Sequence, residues 1–187
     1  MMMRKSLAWL SLVAVVTTIT GISAAAKASV TQNQNTLSGK IAVVVSAADQ
    51  SALVKENKQL LITNRALARK IATKLGITSS GAVPTSGTPL EQNQVLILQN
   101  QETFAAIATK VGATVPALAA VEATDPAEKN HKLLLQNKSI VGAILKKLGI
   151  APPPAADLKG TFVDKNHTLL IGNGKALGKI AAKLGVN

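Results

Sequence analysis

The sequence predicts an all-α fold: four helices of about 23 residues in a tandem repeat of about 36, packed as a helix bundle or a short helical array. Three observations carry this. A block beginning at Lys55, Glu91, Glu128 and Asp164 is written four times, each copy ending on glycine at Gly76, Gly112, Gly149 and Gly185. Aromatics are almost absent (Trp9, Phe104 and Phe162, with no Tyr), so the core must be Leu, Ile, Val and Ala, a palette closer to a helical array than to a β-sandwich. Helix start and stop signals fall in the same place in successive copies.

Residues 1–28 read as a cleaved secretory signal peptide. Arg4 and Lys5 form its basic start, Leu7 to Ile22 its apolar stretch, and Ala26-Lys27-Ala28 an A-x-A cleavage site. Residues 29–50 are a polar segment or a degenerate half-repeat, in which Ser38-Gly39-Lys40-Ile41-Ala42 echoes Leu177-Gly178-Lys179-Ile180-Ala181. Residues 51–187 form the four-repeat helical domain.

Its helices are expected at about 51–75, 89–111, 126–148 and 162–184. Thr88-Pro89-Leu90-Glu91 is a capping box with proline at the first helical position, Asp125-Pro126-Ala127-Glu128 has the same layout, and Thr161-Phe162-Val163-Asp164 again places an acid three residues after the cap. The first copy lacks this box, and Ser46 and Ser51 are its candidate caps. Each helix should stop at Lys-Leu/Val-Gly, with lysine facing the negative end of the dipole and glycine free to turn left-handed. The linkers 76–88, 112–124 and 149–160 are rich in Gly, Ser, Thr, Pro and Ala. The second is expected to hold a short helix from Val115 to Glu122. Roughly 12 extended residues reach about 40 Å, so antiparallel hairpins and parallel crossovers are both open.

On a helical wheel, Leu60, Leu61, Leu67, Ala68, Ile71 and Leu75 form one apolar stripe, with Asn57 and Asn64 near its middle. The same positions hold Asn93 and Asn100, Asn130 and Asn137, and Asn166 and Asn173. Spacing of seven residues marks a coiled-coil or bundle seam, where a buried Asn sets register at a cost in stability. These eight asparagines are expected to set register as Asn–Asn layers between helices, or to sit near water at a fraying helix start. Phe104 takes the Ala68 position and should fill a larger hole. Lys74, Lys110, Lys147 and Lys183 recur at the helix ends as candidate basic contacts. His131 and His167 share one position off the stripe and read as surface residues. Gly172, Gly174 and Gly178 should weaken the last helix or allow close packing.

The stretch from Thr103 to Leu118 (TFAAIATKVGATVPAL) looks like the first helix and turn of a LysM module. That resemblance implies binding of N-acetylglucosamine polymers such as peptidoglycan or chitin. The entry here reads Gln101-Glu102-Thr103-Phe104 where that family has G-D-T-L. Ile71 to Thr78 (IATKLGIT) is similar to the middle of a helix-turn-helix, but Ser79-Ser80-Gly81 follows where the recognition helix would be.

Net charge is +12, which favours anionic partners. There is no Cys, no H-E-x-x-H, no G-x-S-x-G and no phosphate-type glycine loop after a strand, so neither enzyme chemistry nor a cofactor or metal is expected. The function expected is that of an exported, non-catalytic structural or binding protein of the cell envelope or extracellular space. Basic helix faces would meet an anionic envelope polymer or a membrane surface, as a monomer or homo-oligomer; export argues against nucleic acid as a partner. LysM-like glycan binding is one alternative. Membrane activity by cationic amphipathic helices, of which Lys129–Leu148 is the best example, is the other.

Overall fold

Among the described residues four helices account for the ordered secondary structure: α1 over 50–74, α2 Pro89–Lys110, α3 Pro126–Lys147 and α4 Phe162–Lys183. They come from a computed structural model that describes residues 50–79 and 81–186, all within one unit, Val45–Asn187. No strand occurs among the described residues. The expected leader at 1–28, residues 29–49 of the expected polar segment 29–50, and the candidate cap Ser46 lie outside them.

The starts follow the sequence signals. Thr88 and Thr161 form reciprocal capping boxes with Glu91 and Asp164, while Asp125 accepts from the Ala127 N–H at 2.8 Å. Ser51 is no cap, because α1 already runs through residue 50, where the Gln50 amide meets the Thr161 hydroxyl of α4. The four stops are alike. The N–H groups of Ile77, Ala113, Ile150 and Val186 reach back to the carbonyls of Ala72, Ala108, Leu145 and Ala181 at 2.8–2.9 Å. This six-to-one bond closes a Schellman turn, which requires the left-handed glycine at Gly76, Gly112, Gly149 and Gly185, with φ between 65° and 72°.

All four helices run parallel. Three apolar layers are stacked along the bundle, and each draws the same part of every helix. Val54, Ala127 and Val163 lie at the helix starts with Leu90 and Phe162 packed on them. Leu61, Leu96, Ile97, Leu133, Leu134, Leu169 and Leu170 fill the middle. The C-terminal layer runs from Ala68, Ile71 and Ala72 through Phe104, Ile107 and Ala108 to Ile140, Val141, Ile144, Leu177 and Ile180. Phe104 is only 1% exposed and does fill the space beside its smaller counterpart Ala68.

Parallel order forces each linker to climb back along a helix about 33 Å long. The long polar side chains of the helices hold these linkers by their carbonyls. Arg65 and Arg69 bind the carbonyls of Gly81 and Ser79, Gln99 that of Ala82, Gln136 that of Ala119 and Lys132 that of Glu122. The short helix expected over Val115–Glu122 is absent, and residues 113–123 carry no helix. A helix advances only 1.5 Å per residue, less than half the extended rise, and would leave the linker short of α3. Pro116 and the exposed Ala117, Ala119 and Ala120 also offer such a helix no core to bury.

Among the described residues no linker crosses the groove between α4 and α1. Leu60 and Leu67 are half-buried there, whereas Leu96, Leu133 and Leu169, the counterparts of Leu60, are 0–6% exposed.

The caps carry a pH dependence. The backbone N–H of Thr88, then its hydroxyl, holds the Glu91 carboxyl below its usual value; the hydroxyl of Thr161, then its backbone N–H, does the same for Asp164. A lowered folded value stabilises while the group is ionised and is lost as pH falls through it. The melting temperature should therefore drop on acidification below about pH 4, the range of free carboxyls. A Glu91→Gln, Asp164→Asn double variant should melt lower at pH 7 and lose less on acidification. An identical pH profile for the two proteins by circular dichroism would show that the caps do not carry this dependence.

Candidate functional site

Two tiers of asparagine separate the apolar layers. Asn57, Asn93, Asn130 and Asn166 form the first, and Asn64, Asn100, Asn137 and Asn173 the second; all eight are at most 5% exposed. They do not pair with one another as Asn–Asn layers. Each first-tier Nδ2 donates instead to a backbone carbonyl three residues lower on the preceding helix. Asn93 binds Val54, Asn130 binds Leu90, Asn166 binds Ala127, and Asn57 closes the ring on Val163, at 3.0–3.1 Å. In the second tier Asn100 binds Leu61, Asn137 binds Ile97 and Asn64 binds Leu170, at 2.9–3.3 Å. The acceptors already serve the helical ladder, and the second lone pair of a carbonyl takes the amide. Asn173 is equally buried but makes no such bond.

The tiers add little net stability. Seven amide–carbonyl bonds at about 1 kcal/mol each face the Oδ1 atoms of Asn93, Asn100, Asn130 and Asn137, buried without a partner at roughly 1–3 kcal/mol each. The two sums are of one size, so the tiers act chiefly by making any other alignment worse. Asn57 and Asn166 are better satisfied. His167 Nδ1 meets Asn57 Oδ1 and His131 Nδ1 meets Asn166 Oδ1, both at 3.0 Å. The two histidines are thus half-buried partners of the first tier and not the plain surface residues the sequence implies. Their shared position on the flank of the stripe faces the next helix, which a single-helix wheel does not show. No cluster of three or more metal-ligating side chains occurs among the described residues.

Gly174 serves this packing. A Cβ there would stand 2.7 Å from Asn64 Oδ1, and moving that side chain would break its bond to Leu170. Gly178 has no atom within 4 Å of its would-be Cβ.

The parallel order also gathers Lys74, Lys110, Lys147 and Lys183 at one end of the bundle, all exposed. Arg69, Lys70, Lys146 and Lys179 join them, and no Asp or Glu lies in the last two turns of any helix. The opposite end is mixed, with Glu56, Glu91, Asp125, Glu128 and Asp164 beside Lys55, Lys129, Lys132 and Lys165. Four helix C-termini contribute the equivalent of about −2 charges, which eight side-chain cations outweigh. Burial, then the adjacent Arg69 charge, lowers the pKa of Arg65, which is turned inward to the first linker.

Two of the sequence resemblances look different in the fold. Residues 103–110 are helical, 113–118 carry neither helix nor strand, and 89–100, where a LysM module has its first strand, are helix. The apolar side of Lys129–Leu148 is inside, with Leu133, Leu134, Ile140, Ile144 and Leu145 at most 6% exposed.

Substitutions should separate these roles. Asn166→Ala, which breaks bonds at both ends of the amide, should cost about 1–2 kcal/mol more than Asn137→Ala, which removes an unpaired oxygen along with one bond. Urea denaturation of both variants reads the difference, and equal losses would refute the pairing with His131. Gly178→Ala should stabilise by about 0.5–1 kcal/mol through helix propensity, whereas Gly174→Ala should destabilise.

No family model, no curated protein and no solved structure matches this chain.

Proposed function

We propose that this chain is an exported, non-catalytic binding protein of the cell envelope or extracellular space, which holds an anionic polymer or lipid surface against the basic end of its bundle. One observation carries the reading: eight cations and no acid in the final two turns of four parallel helices. Those helices share one end because the asparagine tiers align them. The leader at 1–28, read from sequence, supplies the export. The four-copy block, read from sequence, supplies the fourfold placement of the lysines. In this reading the asparagine columns set register and the lysine columns make contact.

A repeating anion suits the arrangement better than a small one. Arg69, Lys70 and Lys74 line one open groove at that end, while Lys110, Lys147 and Lys183 stand on the other three helices, so together they would meet separate phosphates, sulfates or carboxylates of one polymer. Such binding is dominated by Coulomb attraction between exposed charges and weakens as salt shortens the screening length to about 8 Å at 0.15 M.

The mature chain, residues 29–187, should bind phosphatidylglycerol vesicles or a polyphosphate column at low salt and elute steeply as salt rises. Replacing Lys74, Lys110, Lys147 and Lys183 together by Gln should weaken binding at least tenfold with the melting temperature nearly unchanged. Salt-insensitive binding to peptidoglycan or chitin, unaffected by that variant, would overturn the reading in favour of glycan recognition.

A further inference from the structure

Beneath the third linker lies a cavity of about 340 Å³, walled by α3 and α4 and roofed by Pro152, Pro153 and Pro154. Its walls are apolar, led by Val141, Leu145, Leu169 and Leu158. The corresponding grooves are filled differently. Gln99 and Gln136 occupy the position of Gly172 on their own helices and bind the linker above them; Arg69 occupies the position of Gly142 and does the same. At the third groove both positions are glycine, and neither would-be Cβ meets any atom within 4 Å.

Those two glycines are unexplained by packing. Glycine inside a helix is destabilising relative to alanine, and here alanine would fit. The roof is equally particular, since three successive prolines hold an extended strut that cannot sag into a helix. A third observation is independent of both. Asn173 lines the cavity at 4% exposure, and it alone of the eight tier asparagines leaves its amide without a hydrogen-bond partner among the described residues. Lys138 stands at the rim with its side chain exposed.

From this we infer that the cavity is a binding site for a small apolar molecule carrying one carboxylate or carbonyl head. The apolar body lies against Val141, Leu145, Leu169 and the proline roof; the head accepts from the Asn173 amide and faces the Lys138 ammonium. Mostly apolar walls with a few polar groups are the usual make-up of a small-molecule site, and the volume falls at the small end of their range. At about 30 Å³ for each water-sized unit, there is room for about ten to twelve non-hydrogen atoms, the size of a medium-chain fatty acid. The site is separate from the basic end and stands whether or not that end binds a polymer.

The test uses decanoate as the probe and the mature chain as the protein, followed by isothermal titration and NMR chemical shifts. Decanoate should bind once per chain with a dissociation constant on the order of 1 mM or tighter. Shifts should be confined to residues around Asn173, Gly142 and Leu158. Gly172→Leu should fill the space and weaken binding at least tenfold while the helical signal is kept. Gly142→Leu fills it from the opposite wall and serves if the first variant folds poorly. Asn173→Leu and Lys138→Gln should each weaken decanoate several-fold more than they weaken decane-like probes such as decanol. No saturable binding at 10 times that concentration, or binding indifferent to both filling variants, would overturn the proposal.

Discussion

The bond from an asparagine amide to the backbone carbonyl of the preceding helix governs the rest of the structure. It works only when two helices run in the same direction at the same height, because donor and acceptor sit three residues apart on equivalent turns. Asn57 repeats the bond from α1 back to α4, so the set closes into a ring and no helix can slide without its neighbours. A slip by one residue would leave several buried amides facing hydrocarbon, at roughly 1–3 kcal/mol each. The tiers therefore select one alignment far more strongly than they stabilise it, as buried polar groups do in coiled coils.

Parallel order has two consequences that a bundle of hairpins would not share. Every connection must run the length of a helix, so the linkers become a second shell lying in the grooves, held by Arg65, Arg69, Gln99, Gln136 and Lys132. The two ends of the bundle also become chemically different. The starts of α2, α3 and α4, with their acidic first turns, lie at one end, and all four Lys-Leu/Val-Gly stops at the other. A charge pattern that looks diffuse along the chain is concentrated in space by the same bonds that fix the register.

Much of this was legible in the sequence. Thr88, Asp125 and Thr161 announced helix starts, and glycine after lysine announced the stops, because caps are local chemistry. Phe104 could be read as filling space, since its counterpart is Ala68. Helix direction could not be read, because linkers of this length allow either order. The partner of the asparagines was hidden for another reason: a backbone carbonyl exists at every position and leaves no trace in residue identity. The surface reading of His131 failed likewise, since its partner Asn166 lies on a different helix. The expected helix at Val115–Glu122 obeyed local propensity, but the span from the end of α2 to the start of α3 overrode it.

The four helices also separate architecture from specialisation. Positions that all four share, the asparagines, the Ile71 column and the terminal Lys-Leu/Val-Gly, build the ring and its basic end. Departures from the pattern cluster on α3 and α4. His131 and His167 stand where α1 and α2 carry Lys58 and Gln94, Gly172 stands where α2 and α3 carry the linker-binding Gln99 and Gln136, and Gly142 stands where α1 carries the linker-binding Arg69. Each departure alters the first-tier bonds or opens the space under Pro152–Pro154. A bundle stabilised by four equivalent sides has no need of a weaker one. Two helix-interior glycines and an Asn173 amide with no hydrogen-bond partner among the described residues, all on the same side, mark where packing is given up, and the proposed ligand would restore the lost contacts.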